Sequence, residues 1–154
     1  MAELEFPETK LRDVRIAAMN MLARREHSCA ELKRKLQTKS YPKNLIETVV
    51  EQLRAENLQN DSRFTESYIR FRVQKGFGPI KIQHELKERG VDEDLIQVFL
   101  DMSDERWDEA AEEARAKRFG VAVPEDPKEK AKQARFLQYR GYGHSHMKAL
   151  FSRD

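Results

Sequence analysis

The chain repeats itself, and a repeating chain folds as copies of one small unit rather than as a single irregular core. Shifted by 50 residues, its apolar positions coincide: Met21 falls on Phe71, Leu32 on Ile82, Leu36 on Leu86, Leu45 on Leu95 and Val49 on Phe99. Turn residues follow the same shift, Ser28 onto Gly78 and Ser40 onto Gly90. Shifted by 65, Phe136 falls on Phe71, Arg140-Gly141-Tyr142-Gly143 on Lys75-Gly76-Phe77-Gly78, and Met147 and Phe151 on Ile82 and Leu86. Self-similarity at such periods marks supersecondary units that bury their apolar faces against neighbours.

The central copy shows that the unit is three helices. Asp61 suits an N-cap, and Phe64, Tyr68, Phe71 and Lys75 follow at helical spacing with the apolar side inward. Gly76 then takes the positive φ of a helix end, Gly78 caps the next helix and Pro79 suits its first turn. That second helix buries Ile82 and Leu86 and ends at Gly90. Asp92 caps the third, which buries Leu95, Ile96, Phe99 and Leu100, with Val91 placed to staple onto Ile96.

The other copies read the same way. A helix over 11–25 turns Val14, Ala18, Met21 and Leu22 inward, and Ser28 with Glu31 forms a capping box for a second helix bearing Leu32 and Leu36. Pro42 opens a third helix with the stripe Leu45, Ile46, Val49, Val50 and Leu53. A helix over 104–119 carries Trp107, Ala110, Ala111 and Ala114 on one face. Its carboxylates crowd the first turns, and Arg115, Lys117 and Arg118 stand at its end, as the macrodipole favours. The expected fold is all-α, an elongated, curved tandem array of three-helix repeats with the last one truncated. Its parts are a frayed start at 1–10, repeat one at 11–60, repeat two at 61–103, and an acidic linking helix with a loop at 120–127 and a truncated third repeat over 104–154.

Asp61-Ser62-Arg63-Phe64 followed by Lys75-Gly76-x-Gly78-Pro79-x-Lys81-Ile82-x-x-Glu85-Leu86-x-x-x-Gly90-Val91 resembles the signature of the RecX regulatory proteins. Arg25-Glu26-His27-Ser28 with Glu31-Leu32-x-x-Lys35-Leu36 is similar to that family's first repeat, and Arg135-Phe136-Leu137-x-Tyr139-Arg140-Gly141-Tyr142 to its last. The resemblance runs over residues 11 to 152. It departs at Asn60, where the family often carries a second acid. What it implies is a binding protein, not an enzyme: a negative modulator of the RecA recombinase filament, suppressing ATP hydrolysis, strand exchange and co-protease action in DNA repair and the SOS response.

Composition agrees. Charged residues make up 36% of the chain and hydrophobic ones 39%, which suits thin helical layers with large solvated faces. A single cysteine rules out an internal disulfide and fits a reducing cytoplasm. No apolar signal core or membrane-length apolar run is present, so the expected location is cytoplasmic, without a membrane partner. The net charge of +2 hides a polarity: residues 91–125 carry eleven acidic and four basic side chains, against a basic remainder.

Catalytic chemistry finds no constellation. Gly76-Phe77-Gly78-Pro79 lacks the strand and third glycine of a dinucleotide loop. His27 and Cys29, like His144 and His146, are two residues apart, so on a helix they diverge, and no second cluster completes a metal's ligand set. No cofactor or metal is expected. The recurring feature is instead basic: Arg25, Lys75 and Arg140 end each unit's first helix, and Arg70 aligns with Arg135.

With Arg72 and Lys81 these are the candidate partner-binding residues, facing a RecA filament and DNA within or beside it. Cations at helix ends also offset the dipole, and for Arg25, Lys75 and Arg140 either role fits. The aromatic between the turn residues, Phe77 or Tyr142, with His27 as counterpart, is either a plug over the helix junction or a contact residue. Two further functions fit the same pattern: direct DNA binding by helix-turn-helix-like units, and a helical adaptor with no DNA partner. The expected state is a monomer.

Overall fold

A computed structural model describes residues 9–151, and these form helices and no strand. In order they are α1 (Leu11–Arg24), α2 (Cys29–Thr38), α3 (Lys43–Ala55), α4 (Asp61–Gln74), α5 (Pro79–Glu88), α6 (Glu93–Phe99), α7 (Arg106–Phe119) and α8 (Pro127–Arg140). A 3-10 turn over His144–Met147 then leads into α9 (Lys148–Phe151). The expected all-α class is what the structure has. The expectation of a frayed start falls mainly on residues 1–8, which lie outside the described residues.

The described residues form two compact units, one ending at Thr65 and including Arg89–Val91, the other holding Glu66–Glu88 and residues 92–151. In the first, α1, α2 and α3 close on Val14, Ala18, Leu32, Leu36, Ile46, Val49, Val50 and Leu53. The α3 members fall at i, i+3, i+4 and i+7, one continuous stripe, and each fully buried Val, Leu or Ile contributes ~1.5–3 kcal/mol. Met21, Leu22 and Leu45 pack at its margin. The capping box forms: Ser28 Oγ accepts from the Glu31 amide at 3.1 Å, and Glu31 Oε1 accepts from the Ser28 amide at 3.0 Å. The Ser28 hydroxyl also donates to the Arg89 carbonyl at 2.6 Å. Gly90 presses so closely on Ala30 that no side chain would fit there.

The start of α4 differs from expectation. Asn60, not Asp61, caps it, its Oδ1 accepting from the Arg63 amide at 2.9 Å. Asp61 instead accepts from the Cys29 amide at 2.8 Å and from the Gln59 side chain at 2.9 Å. Because α4 begins at Asp61, the N-cap position falls to Asn60, and Asp61 accepts instead from the first amide of α2, one that the Ser28–Glu31 box leaves unpaired.

In the second unit α7, α8 and the His144–Phe151 segment pack on one another, and α5 packs on α6. Ile82, Leu86, Ile96, Trp107, Ala111, Leu137, Met147 and Leu150 are buried. Asp92 stands before α6 without a side-chain cap bond, Phe151 is exposed where its match Leu86 is buried, with Leu150 buried beside it, and two further residues run against expectation. Phe71 is 52% exposed, because two turns beyond the buried Phe64 no described element covers that face of α4, and the Lys75 ammonium stands over its ring. Arg115 is buried rather than a surface cation at a helix end. It follows Trp107 and Ala111 at four-residue intervals, and its guanidinium is satisfied by Glu112, Gln133 and the Val121 and Ala122 carbonyls.

Candidate partner-binding surface

The two glycine turns of the second unit are fastened to each other. The Gly78 amide donates to the Arg140 carbonyl at 2.7 Å, and the Ile80 amide to the Gly141 carbonyl at 2.9 Å. The Tyr142 hydroxyl donates to the Gly76 carbonyl at 3.1 Å, and Arg140 to the Lys75 carbonyl at 3.0 Å. Gly76 and Gly141 take the left-handed φ values, +87° and +100°, that such turns require. Tyr142 is buried as a plug, and burial pushes its hydroxyl pKa up to about 12, so it remains a donor. His27 is likewise buried, whereas Phe77 is only half-buried and serves as a groove wall.

Around this junction lies an open groove of about 710 Å³ whose walls come from the turn bearing Phe77 and from α5, α7 and α8. Its aromatics are Phe77, Phe119, Phe136 and Tyr139, and its cations Lys81, Arg118, Lys132, Arg135 and Arg140. The Arg140 guanidinium sits between two rings, 5.0 Å from the centre of Phe77 and 5.1 Å from that of Phe136. Arg118 lies 5.9 Å from Phe136 and 5.7 Å from Phe119, and those two rings meet edge-on at 5.3 Å. Lys81 stands 5.6 Å over Phe77. Each such contact contributes ~0.5–1 kcal/mol at an exposed site and holds the charge in place without neutralising it.

Elsewhere carboxylates do neutralise. Arg15 pairs with Glu56, Lys33 with Glu47, Arg63 with Glu26 and Lys148 with Asp108. Among the described residues, none of the five groove cations forms an ion pair, and no carboxylate lines the groove.

Of the seven residues singled out from the sequence, Lys81, Arg135 and Arg140 meet in this groove. Arg72 stands behind it, its Nε and Nη2 donating to Glu85 at 2.8 and 2.7 Å while its guanidinium stacks 3.8 Å over Phe77. It fixes a wall rather than presenting a free charge. Lys75 is exposed over Phe71, and Arg70 is paired with Glu66 at 3.3 Å, beside a different groove lined by Ile69, Val73, Val98 and Trp107. Arg25 belongs to the first unit, where it grips Glu31 and the Glu26 carbonyl. Sequence reading missed Arg118, Lys132 and Tyr139. On α8 a signal existed, since Lys132, Arg135, Phe136, Tyr139 and Arg140 follow one another at i, i+3, i+4, i+7 and i+8. For Arg118, on α7, no local signal existed.

An all-helical protein with internal three-helix repeats, carrying an uncompensated basic groove floored by aromatic rings, is a class defined by the surface it offers. Family models described as the first, second and third three-helix domains of RecX match residues 15–53, 60–99 and 104–150. The chain is 43% identical over 129 residues to the regulatory protein RecX of Pseudomonas entomophila, covering 84% of this chain and 83% of the relative. It is 39% identical over 139 residues to that of Pseudomonas fluorescens Pf-5, with 90% of each covered. The crystal structure of RecX from Lactobacillus salivarius superposes with a TM-score of 0.75 at 20% identity, over 92% of this chain and 94% of that one. The chain belongs to the RecX family of regulatory proteins.

Proposed function

We propose that this protein binds the RecA recombinase filament and negatively modulates it, lowering ATP hydrolysis, strand exchange and co-protease action in DNA repair and the SOS response. It acts in the cytoplasm, as a monomer, and without chemistry of its own. Membership of a regulatory family supports this reading, and the groove supports it physically. Five cations without carboxylate partners suit a partner that brings its own negative charge, and a polymer of protein on DNA does so.

Within the groove Lys81, Arg135 and Arg140 make contact, with Arg25, Arg70, Arg72 and Lys75 as further or supporting positions. The test is RecA ATPase on single-stranded DNA with substoichiometric and then stoichiometric amounts of this protein. Inhibition is expected, and its absence at both ratios would sink the reading. Direct DNA binding is the second reading, favoured by the aromatic floor. It prevails if bare DNA is bound as tightly as the filament at one fixed salt concentration.

A further inference from the structure

We propose that the groove between α5, α7 and α8 is a site for a short stretch of single-stranded nucleic acid, with Tyr139 as the platform on which a base stacks. The proposal rests on the reading above and adds to it a ligand, a site and a mode of contact.

Three observations carry it. The first is charge without compensation: Lys81, Arg118, Lys132, Arg135 and Arg140 converge on one groove, and among the described residues none has an acidic partner, though arginines and lysines elsewhere do. A cluster of cations that repel one another is costly unless an anion arrives, and the anion must be multivalent to answer five of them.

The second is Tyr139, 88% exposed on the lip of the groove. The rings of Phe77 and Phe136 already carry guanidinium groups, whereas among the described residues no ring or cation stacks on Tyr139. A large aromatic face left in water beside unpaired cations fits a base, since every base has a π-face and phosphate follows within one sugar.

The third is spacing. From Lys132 to Arg140 the α8 face runs about 12 Å at 1.5 Å per residue, room for roughly three nucleotides at most, since 3.4 Å per nucleotide is the spacing of a fully stacked strand. Acidic peptides offer charge without a base to stack, and a paired duplex keeps its base faces covered. Both are therefore disfavoured.

The experiment uses the full chain and a fluorescent 12-nucleotide single strand, with binding read by anisotropy across a salt series. Competitors are the matching duplex, a poly-glutamate peptide and a free nucleoside triphosphate. The single strand is expected to bind, and the other three to compete weakly. Tyr139→Ala should weaken binding by roughly five-fold or more, and Tyr139→Phe should restore it. Lys132→Gln with Arg135→Gln should reduce the salt slope by about 0.7 for each phosphate that is no longer neutralised. All these side chains are exposed or lie on the groove's rim, and unchanged thermal unfolding serves as the check on folding.

Equal competition by poly-glutamate, equal affinity for the duplex, binding of the free nucleotide alone, or wild-type affinity in Tyr139→Ala would each overturn the proposal. RecA ATPase inhibition, measured on the same variants, separates the two readings. Inhibition that persists without strand binding overturns this site and leaves the filament reading standing. Strand binding without inhibition does the reverse.

Discussion

The amide of Gly78 donates to the carbonyl of Arg140 at 2.7 Å, so two turns that match in sequence 65 residues apart are bonded to each other in space. The close approach of the turns leaves no room for a side chain at Gly78 or Gly141. A Cβ on Gly78 would lie 2.6 Å from the carbonyl carbon and oxygen of Gly141, and one on Gly141 would collide with the Lys81 side chain. The same junction sets Phe77 beside Arg140 and thereby forms one wall of the groove.

Gly78→Ala tests this junction by sterics alone, since Gly78 does not have a positive φ. Overpacking against backbone typically costs ~1–3 kcal/mol. A lowered thermal midpoint is expected, together with weaker binding at the groove. An unaltered midpoint would show that the turns do not press on each other.

Leu86→Ala should damage the fold. Leu86 is fully buried, as is its counterpart Leu36 in the other unit, and truncating such a leucine costs ~2–5 kcal/mol. Urea unfolding measures it, and a destabilisation below about 1 kcal/mol would be inconsistent with the inward face.

Asn60→Ala and Asp61→Ala should each cost about 1 kcal/mol, through different helices. Asn60 serves α4 through the Arg63 amide, and Asp61 serves α2 through the Cys29 amide. Amide hydrogen exchange distinguishes them: faster exchange is expected at Arg63 in the first variant and at Cys29 in the second. Exchange rising at the same amide in both would refute the division of labour.

Stability should fall on mild acidification. Burial holds the His27 pKa below its ordinary 6.5, and the charges of Arg25 and Lys35 add to this against the bond to the Arg25 carbonyl. The neutral ring donates from Nδ1 to that carbonyl and accepts from Lys35 at Nε2, each at 3.0 Å. Below about 6.5 the unfolded chain therefore binds the proton and the folded one resists it, so stability declines as pH drops. For Glu31, burial pushes the carboxyl up, but bonds from Arg25 and the Ser28 amide outweigh it and hold the pKa below the ordinary 4.5. Its contribution is lost in the same direction at lower pH. Thermal midpoints between about pH 7.5 and about pH 5 check this. His27→Gln is expected to be less stable at the upper end of that range yet to lose less across it.

Arg72→Ala should behave unlike changes on the lip of the groove. Removing its two bonds to Glu85 and its stacking on Phe77 is expected to cost ~1–3 kcal/mol, whereas Arg135→Gln should leave stability within about 0.5 kcal/mol. Equal effects on unfolding would remove the distinction between a supporting and a contacting arginine.

Features that depend on neighbours a few positions away were legible in the order of residues. The Ser28–Glu31 capping box, the glycines at Gly76, Gly90 and Gly141, and the α3 stripe are local, because helix periodicity and turn conformation act within one or two turns of chain. The repeats followed from comparing those local patterns. Tertiary structure decided every question of who covers whom. Phe71 has the same spacing as a core residue but meets no covering element among those described, and Arg115 looks like a helix-end cation but closes over the Val121–Ala122 backbone. Asp61 accepts from the first amide of a helix 32 residues earlier in the chain, while Asn60, one position before it, caps its own. The groove belongs to the same kind of fact. Its three predicted cations become a site only when α7 brings Arg118 and Phe119 against Phe136, and burial and charge depend on distance in space, which the order of residues does not contain.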